Sequence, residues 1–146
     1  MKKFTQKFIG ILVLVFTMSF TVNSQEIGDI YEGGIVFQIN EDGKGLVVIE
    51  YDLGIMDWYD AMDAATTYPL DYDGWYLPSR EELELIYNTI GNGGPEGNIG
   101  DFSAGRYWSS SVYDPNGSAW RVRFSDGYAS SGSMGAGNFV RVIRAF

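Results

Sequence analysis

Arginine is concentrated in the last third of the chain. Arg106, Arg121, Arg123, Arg141 and Arg144 share residues 106–146 with only two acids, Asp114 and Asp126. Residues 25–105 hold the reverse, 17 acids against Lys44 and Arg80. A guanidinium can pair with a carboxylate across the fold, or it can offer forked donors to an outside ligand. Ion pairing is expected to absorb at least half of these arginines. Other chemistry is closed off by composition, because the chain has no His and no Cys. There is no thiolate nucleophile, no soft metal ligand and no imidazole base. Ser109–Ser111 would be a nucleophile without a base. Carboxylate pairs can hydrolyse glycosides, but the acids here fall in turns and helix starts, where solvation and capping account for them. Asp71-Tyr72-Asp73-Gly74 is too short for a calcium loop of the EF-hand kind. The expectation is a non-catalytic protein that needs no cofactor and no metal.

Those arginines must be positioned by strands. Ala119–Phe124 alternates, with Trp120, Val122 and Phe124 toward one face and Arg121 and Arg123 toward the other. Arg106 opens a second β-pattern that runs from Tyr107 to Val112. Asp114-Pro115-Asn116-Gly117 and Asp126-Gly127 read as turns. Tyr128–Gly137 reads as a loop of small polar residues, and Phe139–Phe146 as the last strand. Upstream, Gly34–Ile39 and Gly45–Glu50 form a hairpin about Asp42-Gly43. Asp57 caps a helix carrying Trp58, Ala61, Met62 and Ala65, and Pro69 ends it or lies just past it. Ser79 and Glu82 make a capping box for a second helix, whose buried face is Leu83, Ile86, Tyr87 and Ile90, with Gly91 beyond its end. Asn92–Asp101 is Gly-rich and irregular. The order β-β-α-α-loop-β-β-β is α+β, a single domain over residues 25–146. Trp58, Trp75, Trp108 and Trp120 are the core candidates.

Residues 1–24 read as a secretory leader. Lys2, Lys3 and Lys7 precede an apolar run from Phe8 to Phe20, and Val22-Asn23-Ser24 suits cleavage after Ser24. The run is shorter than the ~20 residues of a membrane span, and no Cys follows it to carry a lipid. Cleavage would remove three Lys and no acid, moving the net charge from −9 to −12. The leader directs the mature chain to the envelope or outside the cell, periplasmic or extracellular, and its acidity is expected to repel nucleic acid and anionic lipid. Its oligomeric state stays open.

Four segments carry a family likeness: Gly33-Gly34-Ile35-Val36-Phe37, Gly74-Trp75-Tyr76-Leu77-Pro78-Ser79 leading into Arg80-Glu81-Glu82-Leu83, Arg106-Tyr107-Trp108-Ser109-Ser110-Ser111, and Ala119–Phe124 with the ending Val140–Phe146. In this order they resemble the Lcl C-terminal domain family, which ends bacterial collagen-like adhesins. The resemblance implies a C-type lectin-like fold with paired N- and C-terminal strands, Gly34–Ile39 beside Phe139–Phe146. It implies two helices, Gly-rich loops, and a surface-associated binding or adhesion role. The family commonly carries Cys, so here stability must come from the aromatic core. The C-terminal part is also similar to the variable proteins of diversity-generating retroelements. That likeness points to surface side chains at Tyr113, Arg121, Arg123, Ser125, Asp126, Tyr128, Ser130, Ser131, Ser133 and Asn138.

The fold likeness raises two further activities. Sugar-binding C-type lectins hold calcium through a Glu-Pro-Asn-like tripeptide and a later Trp-Asn-Asp. Asp114-Pro115-Asn116 echoes the first, but no partner follows, and calcium wants 6–8 oxygens. Formylglycine-generating enzymes share the fold but rely on Cys. The expected function is recognition of a protein or glycan by a face of Arg121, Arg123, Tyr128 and the loop Ser130–Asn138, with Tyr113 and Asp126 at its rim. Tyr, Ser and Arg suit adaptable binding surfaces. The other reading is a structural part of an envelope assembly. A binding module should expose Tyr128, Arg121 and Arg123 on one face; a structural filler should bury them or give each Arg a carboxylate.

Overall fold

A computed structural model describes residues 24–146, so the leader segment lies outside the described residues but for Ser24. The elements are β1 (Ile30–Tyr31), β2 (Gly34–Ile39), β3 (Gly45–Ile49), β4 (Ile55–Met56), α1 (Trp58–Thr67), α2 (Arg80–Thr89), β5 (Arg106–Asp114), β6 (Ser118–Arg123), β7 (Ala129–Ser133), β8 (Asn138–Phe139) and β9 (Ile143–Ala145). They make two sheets, ordered β1-β2-β3-β9 and β4-β8-β5-β6-β7.

Local chemistry sets most of these boundaries. The β2–β3 hairpin turns at Gly43, whose φ of +81° a side chain would strain. The Lys44 N–H donates to Asp42 Oδ1 at 3.0 Å and fixes the turn. Asp57 Oδ1 accepts from the Asp60 N–H at 2.9 Å to start α1, which stops at an extended Tyr68 before Pro69. The α2 box closes both ways. Glu82 N–H donates to Ser79 Oγ at 3.1 Å and Ser79 N–H to Glu82 Oε1 at 2.9 Å.

The second sheet separates two apolar clusters. One joins α2 to both sheets through Phe37, Val48, Leu83, Ile86, Phe102, Tyr107, Val122 and Phe124. The other gathers Leu53, Ala61, Ala64, Leu77, Trp108, Ala119, Met134, Val140 and Val142 under α1. Of the tryptophans, Trp108 is fully enclosed, its indole N–H donating to Met56 O at 3.0 Å. Trp58, Trp75 and Trp120 are half-buried. Trp120 lies under the Arg80 guanidinium at 4.1 Å and against Tyr113 at 5.1 Å.

Three expectations are corrected. Phe139–Phe146 is not one strand: β8 belongs to the second sheet and β9 to the first, with residues 140–142 crossing between them. Val140, Arg141 and Val142 are all buried, so no side faces solvent and the alternation of an outer strand is lost. Their carbonyls are still used, with Leu53 N–H donating to Val140 O at 2.9 Å and Ile49 N–H to Val142 O at 3.0 Å. Second, the C-terminal strand shares the sheet of Gly34–Ile39, but its neighbour is β3. The outer edge of β2 is already taken by β1. Third, Tyr128–Gly137 contains a strand, β7, paired along β6 from Val122↔Ala129 to Ser118↔Ser133. Its small polar residues have weak strand propensity, and the neighbouring ladder supplies the order.

The C-terminal arginines latch this frame. Arg141, 3% exposed, pairs with Asp52 Oδ1 at 2.7 Å and donates to Gly100 O and Asp101 O at 2.8 Å each. Arg144 pairs with Glu32 Oε2 at 2.7 Å and also donates to the Glu32 carbonyl. Among the described residues, Asp101 and Glu32 are the non-glycine residues with positive φ. Each C-terminal latch therefore holds the carbonyl of a left-handed residue that costs energy to form.

Candidate recognition surface on the second sheet

The register of β5, β6 and β7 decides what each face carries. Arg106 stands opposite Arg123, Trp108 opposite Arg121, and Arg121 opposite Ser130. Paired residues share a face, so Arg106, Trp108, Arg121, Arg123 and Ser130 lie on one side. Trp120, Val122, Ser131 and Ser133 lie on the other. The expected alternation of Ala119–Phe124 is therefore present. Over Trp108 and Ala119 this first face is covered by Met56, Trp58 and Met134. Toward Arg106, Arg121 and Arg123 it opens.

Arg121 lies flat on β7. A Cβ added to Gly132 would stand 2.7 Å from its Cζ and Nε, so only glycine leaves room for the guanidinium. Arg121 Nη1 donates to Asn138 Oδ1 at 3.3 Å. Asn138 is 6% exposed, and its Nδ2 has no partner; Arg121 Nε and Arg106 Nε are likewise buried without an acceptor. Arg121's affinity for its proton is pushed down, first by burial and then by the charge of Arg106.

Arg123 is different. Its Nε and Nη2 grip Asp126 at 2.8 and 2.5 Å, and its guanidinium lies 5.5 Å from the Tyr128 ring. Those donors, then the Tyr128 backbone N–H, hold the Asp126 carboxyl down to about 2. Arg123 is correspondingly raised, chiefly by the same hydrogen bonds. Tyr128 stands out at 61% exposed.

The structure thus brings together Arg121, Arg123, Asp126, Tyr128, Ser130 and Asn138. It separates three others. Tyr113, 58% exposed, packs on Trp120 beyond the opposite face, and Ser131 and Ser133 point to that side too. Asn138 is a buried strand residue, not an exposed loop residue. Sequence reasoning left out Arg106, which it treated as the opening of a scaffold motif. The available signal was parity: with Trp108 in the core, Arg106 shares its side of the strand. Ion pairing takes three of the five C-terminal arginines, Arg123, Arg141 and Arg144. Among the described residues, Arg106 and Arg121 form no ion pair, although Asp126 feels the charge of Arg106 at longer range.

The serine run and the acids have other duties. Ser109 Oγ is buried and donates to Trp120 O at 2.6 Å, and Ser111 Oγ accepts from the Arg80 N–H at 2.9 Å. Asp114 Oδ1 accepts from the Asn116 N–H at 2.9 Å and closes its own turn. Among the described residues, no group of three acids stands close enough to hold a metal ion, and no helix is long and apolar enough to cross a membrane.

Two helices beside two sheets, with the N- and C-terminal strands in one of them, define an α+β protein of the C-type lectin-like kind. The Lcl C-terminal domain model matches residues 35–144. The chain belongs to that family, a surface- and adhesin-associated bacterial module. No curated protein matches it.

Proposed function

We propose that the protein is a non-catalytic recognition module, exported to the envelope or beyond, that binds a protein or glycan through the open face of β5–β6–β7. The observation that carries this is the state of the arginines on that face. The structural pair, Arg141 and Arg144, have carboxylates and carbonyls. Among the described residues Arg106 and Arg121 form no ion pair, Asp126 acting on Arg106 only at longer range, and an exposed Tyr128 stands on the same face. Unpaired arginines and a projecting aromatic on one surface are the features of a binding site, since interface hot spots are rich in Tyr and Arg. Catalysis is not part of this reading, in which the serine run serves as scaffold, Ser109 Oγ and Ser111 Oγ being held by backbone partners.

Arrays of immobilised glycans and surface proteins test it, probed with the wild type and with Arg121→Gln and Tyr128→Ala. The expected result is capture of one ligand class, with each variant weakening it about 30-fold, the effect of losing about 2 kcal/mol at a hot spot. Melting temperatures should stay unchanged. Capture that neither variant alters would refute the reading.

A further inference from the structure

We infer that the hollows beside the loop after α1 form a docking groove for a basic, lysine-bearing segment of a partner protein. None of the groove's residues belongs to β5, β6 or β7. The inference therefore goes beyond the recognition face and does not rest on it.

The groove follows from how α1 ends. The helix stops at Tyr68 ahead of Pro69, and the chain returns to the core at Leu70 and Trp75, which pack on the cluster under α1. Asp71, Tyr72 and Asp73 are left exposed between these anchors. Tyr72 is held from two sides. Gly33 leaves room for its ring, since a Cβ there would lie 2.8 Å from Tyr72 Cδ2, and the Arg144 guanidinium lies 5.0 Å from the ring centre. Arg144 Nε also donates to the Asp73 carbonyl at 3.0 Å. Three hollows open along this loop. One of about 530 Å³ lies between the last turn of α1 and Trp75, one of about 300 Å³ between β4 and α1, and one of about 110 Å³ between Gly33, Tyr51 and Tyr72. Tyr68 lines the first and second, and Tyr72 and Trp75 line the first and third.

The walls pair exposed aromatic rings with free carboxylates. Tyr51, Tyr68 and Tyr72 are exposed. Asp73 lines the first hollow, Asp60 and Asp63 the second, and Glu50 and Asp71 the third. All five acids are exposed, and among the described residues none is in an ion pair. No Lys or Arg lines these hollows, and Arg144, which reaches Tyr72 and Trp75, is already paired with Glu32. Like charges gathered along one groove set up a negative potential, and a cation complements it. An ammonium group is drawn both to carboxylates and to ring faces. A lysine stem covers apolar surface while its head reaches the charge. A metal ion does not suit the groove, because among the described residues no three acids stand close enough to hold one. The carboxylates are spread over three hollows, which suits several charges carried on one extended chain. β4 is the edge strand of its sheet and lines the second hollow with Ile55 exposed. Such edges accept an extended segment.

The test is binding of a labelled, acetylated Lys-Gly-Lys-Gly-Lys amide to the purified protein at constant ionic strength. Fluorescence anisotropy gives the affinity, and NMR follows the ring signals of Tyr68 and Tyr72. The comparison probes are the same peptide with acetylated lysines, spermidine and a neutral oligosaccharide. The expected result is saturable binding of the lysine peptide that shifts both rings, no response to the acetyl-lysine form, and weaker binding of spermidine. Asp63→Asn with Asp71→Asn should weaken the peptide about 5-fold, and Tyr72→Ala about 10-fold. Both acids are exposed and unpaired, so that double variant should keep the wild-type melting temperature. Glu41→Gln with Glu96→Gln removes the same charge at exposed positions outside the hollows and should leave binding unchanged. No saturation, equal binding of the acetyl-lysine peptide, spermidine binding as tightly, oligosaccharide binding at the same rings, or an equal loss in both double variants would overturn the inference. Array capture through Arg121 and Tyr128 bears on the other face alone, so either reading can fail without the other.

Discussion

Arg121 and Arg141 are the same residue type in two roles, and substitution should tell them apart. Arg141→Gln removes the Asp52 ion pair and the donors to Gly100 and Asp101 inside the core. Breaking a buried pair typically costs about 3–5 kcal/mol. A steep fall in denaturant midpoint is expected. Arg121→Gln removes a charge that repels Arg106 together with one long hydrogen bond to Asn138, so stability should change little, and urea titration of both variants checks the contrast. Asp126 offers a pH test. Its folded-state value of about 2 lies below the ordinary 3.8. The stabilisation from its pairing is therefore complete above the ordinary value and is lost as pH falls through about 2. A carboxyl NMR titration should place the midpoint there, and Arg123→Gln should return it toward the ordinary carboxylate range. Arg123's partner was not legible in advance: Asp126 is three residues away across a turn, and only the turn's geometry brings its oxygens onto the guanidinium.

The elements were legible where local signals are strong. The Asp-Gly hairpin, the Asp57 cap and the Ser79–Glu82 box each encode their boundary in a few residues. β7 was not legible, because Ala129-Ser130-Ser131-Gly132-Ser133 has neither branched nor aromatic residues. Its pairing is dictated by β6, and its glycine by the Arg121 side chain above it. The split of the C-terminal strand was hidden too. Val140-Arg141-Val142 looks like alternation until the arginine proves to be buried against carbonyls. Two predictions belong at this scale. Gly132→Ala places a Cβ where the guanidinium lies. Because that guanidinium is the movable end of a side chain, the melting temperature should change little while ligand capture is lost. Trp108→Ala empties the core beside β4 and α1, at about 3–5 kcal/mol, and should be read in equilibrium unfolding.

For the whole molecule, the buried positions of the four family motifs are scaffold, while Arg106, Arg121 and Arg123 within them face the open side. Val36 and Phe37, Leu77 to Leu83, Trp108 with Ser109, and Val140 to Ile143 build both cores and the latches. The motifs therefore foretold the fold well and the site poorly, since what distinguishes the open face is register and burial rather than residue type. Arg106, Arg121 and Arg123 look alike in the sequence, and only the sheet shows which one is ion-paired. The central claim is that the open face keeps unpaired arginines for a ligand. The most direct measurement is the affinity of Arg121→Gln for the captured ligand, taken together with its melting temperature. The account predicts an affinity about 30-fold below wild type, with a melting temperature close to it. Unchanged affinity, or a melting temperature that falls as it does for Arg141→Gln, would contradict it.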